Sequence, residues 1–249
     1  MPSTIITIDF WQTLFDDSGG PQRNEERQTA LRQAINDAGH FRDIEEVDAA
    51  FRSIWEYFDH HWLNNHRTPN SREMVEEICR RLDLTLPDEA VAEVTHTFAN
   101  GVLSNPPALL PGVRDALAFL AARAPLAVIS DTAFSPGQVL RSLMEQQGIA
   151  SYFSNFIFSD ESGVAKPHPD AFRRAVEPLG GDLARSLHIG DIERTDIRGA
   201  KGVGMKAVLY RGNHIPHKYA DDGTKSAADA VIRHWEEIPA VWERMKSEM

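Results

Sequence analysis

The stretch TIITIDFWQTLF (residues 4–15) decides the fold of this chain. Its β-branched run, at 4–8, is typical of a strand buried on both faces of a parallel sheet, and the run ends in a single carboxylate, Asp9. In an open parallel sheet, ligands bind beyond the carboxyl ends of the strands. We therefore expect Asp9 to stand at a functional site. Trp11, two residues further on, places an indole where a second acid could stand.

The composition predicts a soluble globular protein of one or two domains. The chain has 249 residues, of which 42% are hydrophobic and 25% are charged, and its net charge of -11 opposes binding to phosphate backbones of nucleic acids. Its one cysteine, Cys79, allows no internal disulfide. No apolar run reaches the length of a membrane span, and the N-terminus lacks the pattern of a signal peptide. We expect a cytoplasmic monomer or homodimer without nucleic-acid or membrane partners.

The spacing of apolar residues differs between two parts of the chain. Between residues 16 and 105, apolar residues recur at helical spacing, which predicts helices over 28–38, 51–62, 74–82 and 90–103. The segment NPPALLPGV (105–113) then interrupts this pattern. Four helices without a convincing strand predict a small helical bundle.

Short apolar runs alternate with helices in the rest of the chain. The runs are PLAVIS (125–130), NFIFSD (155–160), SLHIGD (186–191), KAVLY (206–210) and AVIRHW (230–235). Strands that alternate with helices form parallel sheets covered on both faces. The predicted fold is therefore α/β, a doubly wound, Rossmann-like core formed by 1–15 and 106–249, with an all-helical domain of 16–105 inserted after the first strand.

Polar groups collect at the ends of the predicted strands. Asp9 ends the first strand, Ser130 ends the second, Lys166 lies in the loop after the third, and Asp191 ends the fourth, with Asp196 five residues beyond. Carboxylates that converge on one point repel each other unless a cation joins them, and hard oxygen ligands favour Mg²⁺. An ionised aspartate can also attack phosphorus as a nucleophile. These residue types predict phosphoryl chemistry on a small phosphorylated molecule.

The ordered set of motifs resembles the haloacid dehalogenase superfamily of hydrolases. The motifs are Asp9-x-x-x-Thr13, then Ser130, then Lys166, then Gly190-Asp191-x-x-x-x-Asp196. The resemblance covers essentially the whole chain, and the helical insertion resembles the type 1 cap of that family. It implies a phosphatase-like hydrolase in which Asp9 is the nucleophile, Ser130 and Lys166 bind the transferred group, and Thr13 supports the first loop.

The same resemblance implies a Mg²⁺ site. Its ligands would be the carboxylates of Asp9 and Asp191 and the backbone carbonyl of Trp11, with Asp196 assisting the metal or orienting its waters. Phosphatases of the family carry an aspartate where this chain has Trp11, and that aspartate protonates the leaving alcohol and then activates water. Because an indole can do neither, hydrolysis of the aspartyl phosphate is expected to be slow and to follow a burst.

Two other functions stay open. The halide-releasing branch of the family also lacks that aspartate and uses no metal, which allows a metal-independent 2-haloacid dehalogenase. The nearest candidates for its halide pocket, Arg23, Arg27 and Arg32, are better interpreted as solvated helix residues. A non-catalytic member of the fold that binds a phosphorylated ligand is the third possibility.

Contacts to the distal part of the substrate are predicted in two places. Thr132 follows the second strand, and Asn65, His66 and Arg67 end the stretch of the inserted domain that could form a turn facing the site. A loop over 211–223 follows another strand end and is interpreted as an ordinary surface loop. The identity of the substrate is beyond these patterns.

Overall fold

The structure is a computed structural model that describes residues 3–212 and 225–248; most of the predicted loop at 211–223 lies outside these ranges. Its strands are β1 (Ile6–Ile8), β2 (Leu126–Ser130), β3 (Phe153–Phe158), β4 (Leu187–Gly190), β5 (Lys206–Tyr210) and β6 (Ala230–Ile232). Its helices are α1 (Gly20–Asp37), α2 (Ile44–Asn65), α3 (Ser71–Arg81), α4 (Asp88–Ser104), α5 (Val113–Ala121), α6 (Gly137–Gln146), α7 (Ser159–Ser162), α8 (Pro169–Val176), α9 (Arg198–Gly202) and α10 (Ile238–Met245).

The six strands form one sheet in the order β3-β2-β1-β4-β5-β6, and every neighbouring pair is parallel. Each predicted apolar run contributes a strand, so the predicted doubly wound α/β fold is confirmed. The chain runs from β1 to β2 on one side, and β4 lies on the other side of β1. The carboxyl end of β1 therefore stands at the point where the strand order reverses, which is where open α/β sheets bind ligands.

The central strands β1, β2, β4 and β5 are almost entirely buried, whereas the edge strands β3 and β6 are partly exposed. One face packs against α8 and α9 in a cluster that includes Ile129, Phe172, Ala200 and Leu209, each at most 1% exposed. Trp235 is fully buried as well, and its indole N–H donates to the carbonyl of Thr13 at 2.9 Å. This bond ties the chain after β6 to the turn that follows β1, and so helps to hold the loop that carries Asp9.

Two compact units divide the chain. One comprises 1–17, 108–131 and 144–249 and contains the sheet; the other comprises 18–107 and 132–143 and contains α1 to α4. The predicted four helices are confirmed, whereas the assignment of the helical unit as a cap domain stays a prediction. Within the described ranges, no helix is long and apolar enough to cross a membrane.

Two arginines of α1 are not the solvated residues that the sequence suggested. The buried face of α1 consists of Arg23, Arg27, Leu31 and Ile35, at a regular spacing of four. Arg27 donates from Nε to the carbonyl of Phe98 at 3.1 Å, and Arg23 donates from a terminal nitrogen to the carbonyl of Asn105 at 2.8 Å.

These arginines also explain an error in the predicted helix bounds. Because they occupy the first two positions of the buried stripe, the apolar pattern starts only at Leu31, whereas α1 itself begins at Gly20. Burial lowers the pKa of Arg27 to about 9, with a further contribution from the charge of Arg23. The prediction that these two side chains are solvated is therefore wrong, whereas Arg32 is partly exposed and pairs with Asp48.

Candidate active site

The turn after β1 positions the first carboxylate. The backbone N–H of Asp9 donates to the carbonyl of Ile189 at 2.9 Å, which anchors the residue at the sheet edge. The chain then folds back, since the N–H of Gln12 donates to the carbonyl of Phe15 at 2.7 Å. Gln12 adopts a left-handed conformation with φ 57°, so this turn tolerates a side chain where glycine is usual. Trp11 is half-buried beside it.

A buried lysine joins two of the predicted site residues. The ammonium of Lys166 donates to Asp9 Oδ1 and, at 2.6 Å, to Asp196 Oδ1. The three residues are at most 6% exposed. The backbone N–H of Lys166 also donates to Asp131 Oδ1 at 2.9 Å, which fixes its loop to the end of β2. The structure therefore brings Asp9, Lys166 and Asp196 together from three separate segments, as the sequence predicted.

The π-helical turn at Glu193–Ile197 returns Asp196 to the end of β4. There its second oxygen, Oδ2, accepts from the N–H of Ile192 at 2.9 Å. Gly190 makes this close approach possible, because a Cβ at that position would lie 2.6 Å from Asp196 Cβ and 2.7 Å from Asp196 Oδ1. Both oxygens of Asp196 are engaged by protein donors, which favours a role in positioning Lys166 over direct contact with a metal.

His188 and Thr7, which are not among the predicted site residues, complete this network. His188 is fully buried, its Nε2 lies 3.0 Å from Asp196 Oδ1, and its Nδ1 lies 2.8 Å from Thr7 Oγ1. Burial lowers the pKa of His188. In the neutral ring, Nε2–H donates to the carboxylate and Nδ1 accepts from the threonine hydroxyl.

The sequence contains a pattern that points to the contact between Thr7 and His188. Thr7 and His188 are single polar residues inside buried apolar strands, and they are register partners across β1 and β4. A polar group in such a place needs a hydrogen-bond partner, which each supplies to the other.

Five buried side-chain hydroxyls have no protein partner within the described ranges. Three of them, those of Ser130, Thr13 and Thr195, lie at or shortly after the ends of strands. Ser130 ends β2, Thr13 lies in the turn after β1, and Thr195 lies in the turn after β4. Buried polar groups are normally satisfied, so such atoms at strand ends indicate a site for water, an ion or a ligand. Ser130 and Thr13 were predicted site residues; Thr195 was not.

Carboxylates outnumber ammonium groups at the site, and this excess shifts the pKa values of Asp9 and Lys166. Burial raises the pKa of Asp9 well above its usual value; the ammonium of Lys166 opposes this effect, and the charges of Asp196 and Asp191 add to it. Burial alone would lower the pKa of Lys166, but the carboxylates of Asp196 and Asp9 raise it above its usual value. Asp9 and Asp196 thus share one ammonium while Asp191 adds a further negative charge beside Asp9, and a divalent cation would relieve this repulsion.

The donor set fits Mg²⁺. Two of the predicted ligands, Asp9 and Asp191, are carboxylates, both residues are at most 7% exposed, and the charge of Asp191 contributes to the raised pKa of Asp9. The carbonyl of Trp11 accepts no hydrogen bond from the described residues. Two carboxylates and one carbonyl suit an ion that usually keeps several waters. No three His, Cys, Asp or Glu side chains in the described ranges are grouped so as to hold a metal ion by themselves.

The predicted substrate contacts lie in the helical unit. Asn65 ends α2 and is exposed, and His66 follows it in a left-handed conformation. Arg67 donates to both carboxylate oxygens of Glu73, at 2.8 and 2.9 Å, so its charge is already paired. Thr132 is buried at the start of the segment 132–143. The role of these residues in substrate binding stays a prediction.

The family of the chain follows from comparison with known proteins. The family model described as haloacid dehalogenase-like hydrolase matches residues 4–204. The chain therefore belongs to the haloacid dehalogenase-like hydrolases, as its motifs predicted.

Relatives with assigned names include phosphatases. Glyceraldehyde 3-phosphate phosphatase of Pyrococcus abyssi is 43% identical over 63 residues, which are 25% of this chain and 26% of that protein. Phosphoglycolate phosphatase of Yersinia pseudotuberculosis is 32% identical over 135 residues, 53% of this chain and 55% of that protein. The matches thus span about a quarter to just over half of these relatives.

A solved structure matches over nearly the full length. The 2-haloacid dehalogenase from Pseudomonas syringae pv. Tomato DC3000 gives a TM-score of 0.67 at 22% identity, over 97% of this chain and 99% of that chain. At this identity the match shows the fold alone.

Proposed function

We propose that the protein is a Mg²⁺-dependent phosphatase that hydrolyses a small phosphorylated metabolite through an aspartyl phosphate on Asp9. The observation that carries the proposal is the buried Lys166, held by Asp9 and Asp196 beside the additional carboxylate of Asp191. The hydroxyl of Ser130 at the end of β2, which is buried without a hydrogen-bond partner among the described residues, supports the same proposal. The phosphatases among the relatives agree with this chemistry.

Each residue has a distinct task in the proposed reaction. An oxygen of Asp9 attacks phosphorus, and the P–O bond to the leaving group breaks with its electron pair going to the leaving oxygen. Lys166 and Ser130 donate hydrogen bonds to the phosphoryl oxygens as charge develops on them, and water then attacks phosphorus of the aspartyl phosphate and breaks its P–O bond to Asp9. Asp196 keeps Lys166 in place. A bound Mg²⁺, held by Asp9, Asp191 and the Trp11 carbonyl, would neutralise charge on the phosphoryl group. The helical unit is proposed to act as a cap that selects the substrate.

The test measures phosphate release from a panel of small phosphomonoesters and acyl phosphates, with Mg²⁺ and with EDTA. Wild-type release that requires the metal and disappears in Asp9→Asn would support the proposal. This substitution keeps the size of the side chain and removes the nucleophile. Release that persists in Asp9→Asn, or that is unaffected by EDTA, would contradict it.

The metal-independent 2-haloacid dehalogenase remains the alternative that Trp11 favours, because a halide leaves without a proton. Chloride release from 2-chloropropionate in the presence of EDTA would support that alternative. Stabilisation by a phosphorylated compound without turnover of any substrate would instead support a binding protein.

A further inference from the structure

Glu193 is a buried carboxylate in the turn that follows β4, and the proposed reaction gives it no task. It stands two residues after Asp191, one of the proposed metal ligands, and it is 2% exposed. Glutamate is seldom fully buried unless partners satisfy it, because taking its charge out of water is costly. The contacts of Glu193 therefore indicate what this charge does.

The donors to Glu193 come from the part of the chain that leads into β6. Glu193 Oε2 accepts from the hydroxyl of Ser226 at 2.7 Å, and Oε1 accepts from the backbone N–H of Ala227 at 2.8 Å. The hydroxyl of Ser226 also accepts from the N–H of Ala228 at 3.1 Å, so its own proton is left to bind Glu193. One donor to each oxygen holds the carboxylate in a single orientation.

A carboxylate accepts both of these hydrogen bonds, whereas its neutral isostere cannot. Glutamine at this position has one acceptor oxygen, and its N–H₂ group would face the second donor. Hydrogen bonds to an ionised group are also stronger than those to a neutral one. The carboxylate of Glu193 therefore provides an attachment between two segments of the chain that an amide of the same size would weaken.

The attachment acts on a backbone turn of unusual geometry. Glu193–Ile197 is a single π-helical turn, in which the carbonyl of Glu193 accepts from the N–H of Arg198, five residues further on. Such turns are rare and occur frequently at functional sites. This one begins two residues after Asp191 and contains Asp196, whose carboxylate accepts from three protein donors. The side chain of Glu193 thus fixes the start of the turn, and the side chain of Asp196 fixes its end.

We propose that Glu193 is a positioning residue for the metal site: it ties the turn after β4 to Ser226 and Ala227, and so fixes the backbone that carries Asp191. This inference rests on the proposed function, because it concerns the Mg²⁺ of that reaction. Groups that orient metal ligands typically change metal affinity about 10–100-fold when they are removed. Glu193 is therefore expected to act on the affinity for Mg²⁺ rather than on the chemical step.

The experiment measures the dissociation constant of Mg²⁺ by isothermal titration calorimetry at pH 7, without substrate. Glu193→Gln keeps the size of the side chain and loses one acceptor, and it is expected to raise this constant about 10-fold or more. Ser226→Ala removes one of the two donors and should raise it less. Phosphate release by Glu193→Gln should fall at limiting Mg²⁺ and return toward the wild-type rate at saturating Mg²⁺, as a change in affinity requires.

Asp229→Asn is the matched control, because Asp229 holds the same part of the chain from outside the turn. Its carboxylate accepts from the ammonium of Lys201 at 2.9 Å and from the N–H of Ala207 at 2.8 Å. This substitution should lower the stability of the protein without changing the dissociation constant of Mg²⁺. An equal loss of Mg²⁺ affinity in Asp229→Asn and Glu193→Gln would overturn the inference, since both would then act through general stability.

Mg²⁺ binding by the wild-type protein separates the two proposals. If it binds Mg²⁺ and the dissociation constant is unchanged in Glu193→Gln, the role of Glu193 is refuted and the phosphatase proposal stays intact. If it binds no Mg²⁺, the Mg²⁺-dependent function is refuted and this inference with it. Should Glu193→Gln fail to fold, Ser226→Ala decides, because Ser226 is only half-buried and its truncation leaves the bond from Ala227 in place. An unchanged dissociation constant in Ser226→Ala would then refute the inference.

Discussion

The substitution Gly190→Ala is predicted to lower the free energy of unfolding. Gly190 ends β4, and a methyl group in the Gly190→Ala protein would lie 2.6 Å from Asp196 Cβ and 2.7 Å from Asp196 Oδ1. Real Cβ atoms do not approach heavy atoms so closely, so Asp196 would have to move. It cannot move freely, because its carboxylate accepts from Lys166 at 2.6 Å, His188 at 3.0 Å and the Ile192 N–H at 2.9 Å.

The expected cost has two parts. Overpacking a dense interior destabilises by about 1–3 kcal/mol. Displacing a buried carboxylate from a charged donor adds about 1.5–3 kcal/mol for each hydrogen bond that is lost. We therefore expect Gly190→Ala to lower the free energy of unfolding by about 3 kcal/mol or more. If the protein still folds, phosphatase activity should also fall, because Lys166 loses the group that positions it.

The assay is urea denaturation at pH 7, with Gly202→Ala as the matched control. Gly202 ends α9, has no positive φ, and its added Cβ would meet no atom within 4 Å. Alanine is the better helix former, so the control should be neutral or stabilising by up to about 1 kcal/mol. Equal midpoints for the two variants, at an unchanged m-value, would refute the packing argument.

Three further predictions concern charge and hydrogen bonding. Lys166→Met leaves the buried Asp9 and Asp196 without their cation and should destabilise by about 3–5 kcal/mol at pH 7. Because burial raises the pKa of Asp9, protonation of Asp9 should make this loss smaller at lower pH, and urea titrations at pH 7 and pH 5 would check this. His188→Gln should cost about 1–3 kcal/mol in the same assay, because it disrupts the bond to Asp196, and a midpoint equal to that of the wild type would contradict the network. Burial raises the pKa of Asp229, but hydrogen bonds from Lys201 and the backbone lower it below its usual value. The ionised form is therefore favoured by folding, so Asp229→Asn should destabilise above pH 4, and the difference should vanish as the pH falls further; stability curves of both proteins between pH 7 and pH 3 would show it.

The fold was predictable because local patterns and long-range packing agree. Each of the six strands is an apolar run bounded by turns, and a parallel sheet buried on both faces requires such runs. The bounds were less certain: the run NFIFSD predicted a strand over 155–160, whereas β3 is Phe153–Phe158 and Ser159 already begins α7. The start of α1 was missed because Arg23 and Arg27 fill positions that a hydrophobic pattern reserves for apolar side chains.

The site was predictable at the level of residue type. Asp9, Ser130, Lys166 and Asp191 follow strand ends, and parallel strands bring those ends to one edge of the sheet. The partners of these residues were not predictable in the same way. The hydroxyl of Thr195 is buried without a hydrogen-bond partner among the described residues, yet its position in the sequence does not distinguish it from an ordinary turn residue.

The sequence by itself determined the fold class and the chemical inventory, because hydrophobic periodicity and turn residues act over a few neighbouring positions. Only the tertiary structure decided which groups meet. Asp9 and Lys166 are 157 positions apart and share a hydrogen bond, and Asp196 reaches both Lys166 and His188 through a turn that Gly190 leaves room for. Such contacts depend on the register of β1 and β4 and on the space left by a missing Cβ. They become visible only once the whole core is packed.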